Sequence, residues 1–409
     1  MQFKQIIGQA DTRQHLAEMV QHNRLSHALL FLGKEGSGAL PLAIAFAQYV
    51  VCETVNGKPS FPSLFGEEPP TGQRAATNGQ PFFPDSCGTC PSCSKTEKLI
   101  HPDIHFSYPV VSRKSGDKPL STDYISEWRE FVKQYPYGNA YDWLQFIGAE
   151  NKQGNISAHE CNDIIRKLNL KSFESNYKIL VMWMPEYLGN EGNKLLKLIE
   201  EPPPNTLFIL VAENESLVLP TILSRCQLVR VPALDTADIA QALAERANIQ
   251  PELARQTASI SEGNYREALQ LLQHADEDWQ NMLREWLNAT LKTGPVAQVK
   301  WIEEISKMGR EKQKQFLRYF NHLLEQSVRL RAFGGHEQPN SLISMPEKER
   351  DFALRLNKLA DTSQQQAIIE ELDKASYYIE RNANAKMLFH ALTIKLYHII
   401  ADKSLILVN

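Results

Sequence analysis

Apolar residues fall along this chain in two rhythms. Three short runs are almost unbroken: Ala28 to Leu32 (ALLFL), the run within Lys178 to Glu186 (KILVMWMPE) and Thr206 to Ala212 (TLFILVA). Each is bounded by polar or turn residues, the pattern of strands buried on both faces in a parallel sheet. Between them the spacing is helical. Residues 11–26 and the apolar stretch running through Val51 read as helices, as does Lys194 to Glu201, with leucines at 195, 196 and 198 and Ile199. Pro202-Pro203-Pro204 stops that last helix, because each ring removes an amide donor and clashes with the preceding turn. Beyond the strand at 206–212, Pro220-Thr221-Ile222-Leu223 opens a short helix that delivers Ser224-Arg225-Cys226 at its end. Past Val231-Pro232 only helices are predicted: Asp235 caps one, Pro251 opens another, and from Asp278 onward the pattern is helical except for a loop near Gly334 to Pro339. The expectation is an α/β module at 1–232, a small helical domain at 233–277 and an all-α domain at 278–409.

Composition narrows the function classes. A length of 409 residues allows two or three domains, and 43% hydrophobic with 22% charged residues is ordinary for a globular protein. A formal charge of -4 gives no overall basic field, so DNA affinity is not legible from charge. No apolar run reaches the ~18 residues of a membrane span. The start, MQFKQIIGQADTRQHL, has no signal-peptide pattern, so a cytoplasmic protein without membrane contact is expected. Six cysteines, three of them at 87, 90 and 93, suit a reducing compartment and a metal better than disulfides.

The first candidate chemistry lies after the strand ALLFL. Gly33-Lys34-Glu35-Gly36-Ser37-Gly38-Ala39-Leu40 followed by a helix is the setting of a phosphate-binding P-loop, with Gly33 and Gly38 at its outer glycine positions. Its chemistry is altered. Ala39 stands where a lysine would meet the β/γ-phosphates, and Leu40 where a hydroxyl would hold magnesium. A hydrophobic strand ending in acids should complete such a site, but KILVMWM ends in Met182-Trp183-Met184, with Glu186, just past it, read as a solvated turn residue. The small polar residue usual at the end of the next strand is missing too: Val211-Ala212-Glu213 occupies that place, with Asn214 the remaining candidate. Losses in several parts of one site together argue against ATP hydrolysis. An ordinary glycine turn is the alternative.

Cys87-Gly-Thr-Cys90-Pro-Ser-Cys93 is the second candidate, since two-residue gaps let a tight knuckle aim thiolates at one tetrahedral metal. An iron–sulfur cluster and plain buried thiols stay open beside zinc. Cys161 and Cys226 are expected to pack as small hydrophobes. The aromatic stretch WREFVKQYPYGNAYDWLQFIG, within 107–150, has helical spacing that favours core packing over base stacking with single-stranded DNA.

Several stretches resemble bacterial clamp-loader subunits of the AAA+ class. They are the block NKLLKLIEEPP through LSRC, Cys52 at the end of the helix after the P-loop followed by CxxCxxC, the motif Gly263-Asn-Tyr-Arg266-Glu-Ala-Leu269, and the C-terminal helix 377–400. The resemblance implies an α/β AAA+ P-loop module with an inserted zinc knuckle (52–93), a helical lid at 233–277 and a helical collar at 278–409, with insertions near 53–86 and 110–150. It implies four-cysteine zinc at Cys52, Cys87, Cys90 and Cys93. It makes Gly33, Gly36, Gly38 and Arg266 a degenerate nucleotide site whose ATP binding is in doubt. It also implies that Arg225, in the Ser224-Arg225-Cys226 motif, reaches the nucleotide of a neighbouring subunit. Lost ATP chemistry beside an intact Ser-Arg-Cys selects the non-hydrolysing, delta-prime type of DNA polymerase III subunit. The partners implied are gamma/tau-type ATPase subunits, a delta-type clamp opener, the sliding clamp and, through the assembled ring, primed DNA. The rival readings are an active gamma/tau-type ATPase and a zinc-containing nucleic-acid-binding protein. The polar run Arg381-Asn382-x-Asn384-x-Lys386 is either a capped helix start or an intersubunit contact.

Overall fold

The computed structural model describes residues 1–57, 84–114, 116, 118–149, 152–273, 279–332, 347–380 and 383–401. Most of the expected insertion at 53–86, the loop at 334–339 and Arg381-Asn382 lie outside the described residues. The chain forms two compact units: Met1–Ile249 with Ser261–Ala268, and Gln250–Ile260 with Leu269–Asn409.

The first unit is built on a parallel sheet. Strands β1 (Ala28–Leu32), β2 (Ile104–Ser107), β3 (Lys178–Trp183), β4 (Thr206–Ala212) and β5 (Gln227–Arg230) lie in the order β2-β3-β4-β1-β5. All residues of β3 and β4 are buried, which is why they read as continuous apolar runs rather than as alternating ones. Alternation survives in where the side chains go. Phe31, Val181, Trp183, Ile209 and Val211 enter one core cluster, and Leu30, Leu180, Met182, Phe208 and Leu210 enter another on the opposite face.

Helices cover both faces. On the first, α1 (Ala10–Gln21) flanks α2 (Ala39–Val51), whose thirteen residues are all buried, as an all-round apolar helix must be. Short α3 (Pro91–Glu97) begins at the cysteine knuckle. The aromatic stretch makes α4 (Ile125–Gln134) and α5 (Ala140–Phe146), and most of its rings pack in the core, with Tyr135 exposed. Trp128, Phe131 and Trp143 are fully buried; Tyr108 stacks on Trp128 at 4.0 Å, and Trp183 of β3 lies 5.2 Å from Trp128. On the opposite face sit α6 (Ala158–Leu168), N-capped by Ser157, then α7 (Leu196–Glu200) and α8 (Pro220–Leu223). Helix α9 (Thr236–Arg246) follows β5.

Beyond it the chain is helical: α10 (Pro251–Ile260), α11 (Tyr265–Gln273), α12 (Trp279–Asn288), α13 (Pro295–Lys307), α14 (Arg310–Ala332), α15 (Glu347–Leu359), α16 (Thr362–Glu380) and α17 (Ala385–Ile400). The second unit centres on Trp286 stacked parallel to Trp301 at 4.8 Å, with Phe316, Phe320 and Phe389 around the pair. Asn384 caps α17 by accepting from the Met387 amide at 3.1 Å, and Lys386 pairs with Glu303 in solvent. These two residues behave as a capped, solvated helix start. No helix among the described residues is long and apolar enough to cross a membrane.

Candidate functional site

The glycine loop leaves β1 and enters α2, as the spacing predicts. Gly36 (φ +72°) and Gly38 (φ +88°) take left-handed conformations, and Gly38 is the N-cap of α2. A phosphate cradle needs open space over that N-terminus. Here the edge of the Tyr137 ring is so close that a Cβ on Gly38 would meet Tyr137 Cε1 at 2.8 Å. The remaining cavity, lined by Gly33, Gly38, Tyr137, Trp183, Val211 and Glu213 among others, holds about 20 Å³. That is room for about one water molecule. Ala39 and Leu40 point into the core, and Lys34 is exposed.

The strand ends that should carry acids are apolar and closed. Met182, Trp183 and Met184 are buried. Glu186 corrects the sequence reading: it is no solvated turn residue but a half-buried clamp. Its Oε1 accepts from the amides of Glu213 at 2.6 Å and Asn214 at 2.9 Å, tying the end of β3 to the end of β4. Burial pushes its carboxyl above the usual range, against the pull of those amides.

Arg266 comes to the glycine loop but is fully engaged by carboxylates. It is 4% exposed. Its Nη1 donates to Glu35 at 2.9 Å, while Nε and Nη2 donate to the two oxygens of Asp142 at 2.5 and 2.6 Å. Asn139 and Asn264 also donate to Glu35, at 3.0 and 3.2 Å. Sequence reasoning missed Glu35, Tyr137 and Asp142. The one local signal was Asn139-x-x-Asp142, a capping box that starts α5.

The cysteines assemble as the resemblance implies. The sulfurs of Cys52, Cys87, Cys90 and Cys93 all lie within 4.8 Å of one another, the first from the end of α2, Cys87 from the turn before α3, Cys90 from its N-cap and Cys93 from its first turn. Cys87 and Cys93 Sγ are 3.9 Å apart, close to the ~3.8 Å edge of a sulfur tetrahedron around zinc. Backbone amides of Cys87, Cys90 and Cys93 donate to the sulfurs of Cys52, Cys87 and Cys90 at 3.3–3.4 Å, which favours thiolates. The hydrogen bond between Cys93 and Cys52 draws the Cys52 thiol down and pushes that of Cys93 up, so the first thiolate of the cluster forms at Cys52. The donor set fits a four-thiolate zinc. Cys161 is buried and Cys226 half-buried in the core of the opposite sheet face, where burial raises both thiols to about 11.

Arg225 stands just past α8, apart from this chain's own glycine loop in sequence and bonded elsewhere. Its Nε donates to Glu200 Oε1 at 2.5 Å, and Nη1 to the Thr221 carbonyl at 2.7 Å and the Ser224 hydroxyl at 3.1 Å. The side chain is 32% exposed.

A five-stranded parallel sheet of this order, with a glycine loop between β1 and α2 and a helical C-terminal part, defines an α/β AAA+ P-loop protein. Residues 8–62 and 74–235, more than half the chain, match the family described as DNA polymerase III, delta subunit, and the chain belongs to that family of clamp-loader subunits. It is 26% identical over 256 residues to DNA polymerase III subunit delta' of Bacillus subtilis, covering 63% of this chain and 56% of that protein. It is 24% identical over 331 residues to the tau subunit of the same organism, covering 79% of this chain and 46% of that one. The chain thus spans about half the length of these relatives. A gamma-subunit-related protein of Thermotoga maritima aligns over 94% of this chain and 98% of its own, at 14% identity and a TM-score of 0.35.

Proposed function

We propose that this chain is the non-hydrolysing, delta-prime-type subunit of a bacterial DNA polymerase III clamp loader. In this reading it is cytoplasmic and sits in a hetero-oligomeric ring with gamma/tau-type ATPase subunits and a delta-type clamp opener. The ring loads the sliding clamp onto primed DNA. Residues 233–277 act as lid and 278–409 as collar. Zinc held by Cys52, Cys87, Cys90 and Cys93 cross-links the end of α2 to the knuckle and does no chemistry. The single observation that carries the reading is an opposition: Arg225 is partly exposed just past the end of α8, while the chain's own phosphate cradle has room for about one water.

The mechanism is positional. Charge grows on the γ-phosphate oxygens of ATP in the neighbour, and a planar, permanently charged guanidinium stabilises it with paired hydrogen bonds. Such fingers are worth ~10³–10⁵ in rate in related phosphoryl transfer. The test is reconstitution with the motor and opener subunits, reading clamp- and DNA-stimulated ATPase. Arg225→Ala should assemble normally and lose most of the stimulated rate. A complete complex with undiminished hydrolysis rejects the reading.

A further inference from the structure

The α4–α5 hairpin touches three places around the glycine loop. At the glycine loop, Tyr137 from its turn covers Gly38, and Asn139 bonds to Glu35. At the end of β3, Trp128 and Phe131 pack on Trp183, at 5.2 and 5.9 Å between rings. At Arg266, which the resemblance puts in the degenerate nucleotide site, Asp142 makes a two-pronged pair with the guanidinium. One segment thus packs against the glycine loop, the end of β3 and Arg266.

We propose that this hairpin is the cleft's resident occupant, with Tyr137 standing where phosphates would lie and Asp142 and Glu35 serving Arg266 as fixed anions. The hydrogen bonding supports this. Glu35 and Asp142 already hold Nη1, Nε and Nη2 of the buried Arg266 guanidinium, so an incoming phosphate would have to displace a carboxylate to reach it. The hairpin is also anchored rather than draped. Lifting it exposes Trp128, Phe131 and Trp143 together and breaks the Trp143 Nε1 bond to the Pro109 carbonyl at 2.7 Å. Tyr137 further accepts the Ile7 amide at 2.9 Å and meets the Tyr265 ring edge-on at 5.0 Å. Tyr137 therefore ties the N-terminal segment, the glycine loop and residues 261–268 to one another.

The inference rests on reading Gly33–Leu40 as a former phosphate loop, and not on the role of Arg225. Full-length protein is titrated with a fluorescent ATP analogue in four forms: natural, Ala39→Lys/Leu40→Thr, Tyr137→Ala/Asp142→Asn, and all four changes together, with circular dichroism to verify folding. Restoring the loop residues alone should leave affinity within about twofold of the natural chain, and adding the hairpin changes should tighten it about tenfold or more, as expected when a rarely open cleft becomes open. Equal binding by the loop-restored and fourfold variants overturns the proposal, and so does a folded fourfold variant that binds no better than the natural chain. Because Ala39 is buried, a lysine there can unfold the module. In that event the Tyr137→Ala/Asp142→Asn form decides: it should bind about tenfold tighter than the natural chain, and unchanged affinity overturns the proposal. These titrations read this chain's own cleft, so their failure is separable from failure of the stimulated-ATPase experiment, which reads the neighbour's nucleotide.

Discussion

Arg225 is bridged to Glu200: Nε and Nη2 of the guanidinium both reach Oε1 of that carboxylate, joining the end of α8 to the end of α7. Both partners are partly exposed, at 32% and 45%. Exposed pairs of this kind contribute about 0–1 kcal/mol, so the bridge parks the side chain more than it holds the fold. Glu200→Gln should lower the melting temperature by no more than about 2–4 °C, the shift that ~1 kcal/mol gives in a domain of this size. It should also leave stimulated ATPase of the assembled ring intact, whereas Arg225→Lys should restore little of what Arg225→Ala loses, since an ammonium cannot fork across two phosphate oxygens. Scanning calorimetry beside the ATPase assay checks both. A large thermal loss in Glu200→Gln with no kinetic effect in Arg225→Lys would make the pair purely structural.

The cysteine cluster predicts one zinc per chain. Cys90 contributes both a sulfur and the backbone amide that bonds Cys87 Sγ at 3.3 Å. Elemental analysis should therefore find the metal in the natural protein and lose it in Cys90→Ser. Because binding a structural zinc is folding free energy, chelation should speed amide exchange around 87–97 while leaving the second unit unaffected. Metal content unchanged by Cys90→Ser would remove these sulfurs from the site.

The buried strands were legible because β1, β3 and β4 are apolar without interruption, a pattern that burial on both faces imposes. Strand β5 was not: in Gln227–Arg230 only Val229 is buried, so its side chains carry no strand signal and only its backbone pairing with β1 defines it. The same limit hid the cleft's occupants. Glu35, Asp142 and Arg266 are far apart in sequence, and an ion triplet leaves no periodicity along a chain. Glu186 was misread for a related reason. Its neighbours show it at a turn, but not that two strand-end amides converge on its carboxylate.

Asp103 sets a pH dependence. Its buried carboxylate accepts the amides of Phe173, Glu174 and Ser175 at 2.5, 2.8 and 2.8 Å. Burial raises its pKa, but the three amides outweigh that and hold it below the ordinary carboxylate value. A depressed folded pKa contributes stability that is present above the unfolded value of ~3.9 and is lost as pH falls through the folded one. Asp103→Asn should cost about 1.5–3 kcal/mol at pH 7, the scale of hydrogen bonds to a charged group. The gap to the natural chain should close as pH is lowered below about 4. Paired melts across pH 3–7 check this, and a gap that widens toward acid would contradict it.

Gly36 offers a test of how tightly the glycine loop is packed against residues 261–268. At φ +72° a side chain is strained wherever it points, by about 1–2 kcal/mol. Here space is also missing, since a Cβ would fall 1.8 Å from Asn264 Oδ1 and 3.0 Å from Asn264 Cα. Asn264 cannot simply turn away: its Oδ1 accepts the Glu267 amide at 3.0 Å and its Nδ2 donates to Glu35 at 3.2 Å, so moving it disturbs the start of α11 and a partner of Arg266. Gly36→Ala should therefore cost more than the backbone strain alone, about 2–4 kcal/mol in all, in the range of the larger single-residue effects. Asn264→Ser shortens the obstructing side chain and keeps an oxygen that can cap α11. In that background the cost of Gly36→Ala should shrink toward the strain of φ alone, a coupling of about 1 kcal/mol or more between touching residues. Thermal melts of the four proteins in the cycle measure it. Additive costs would mean that Asn264 is not what closes the loop.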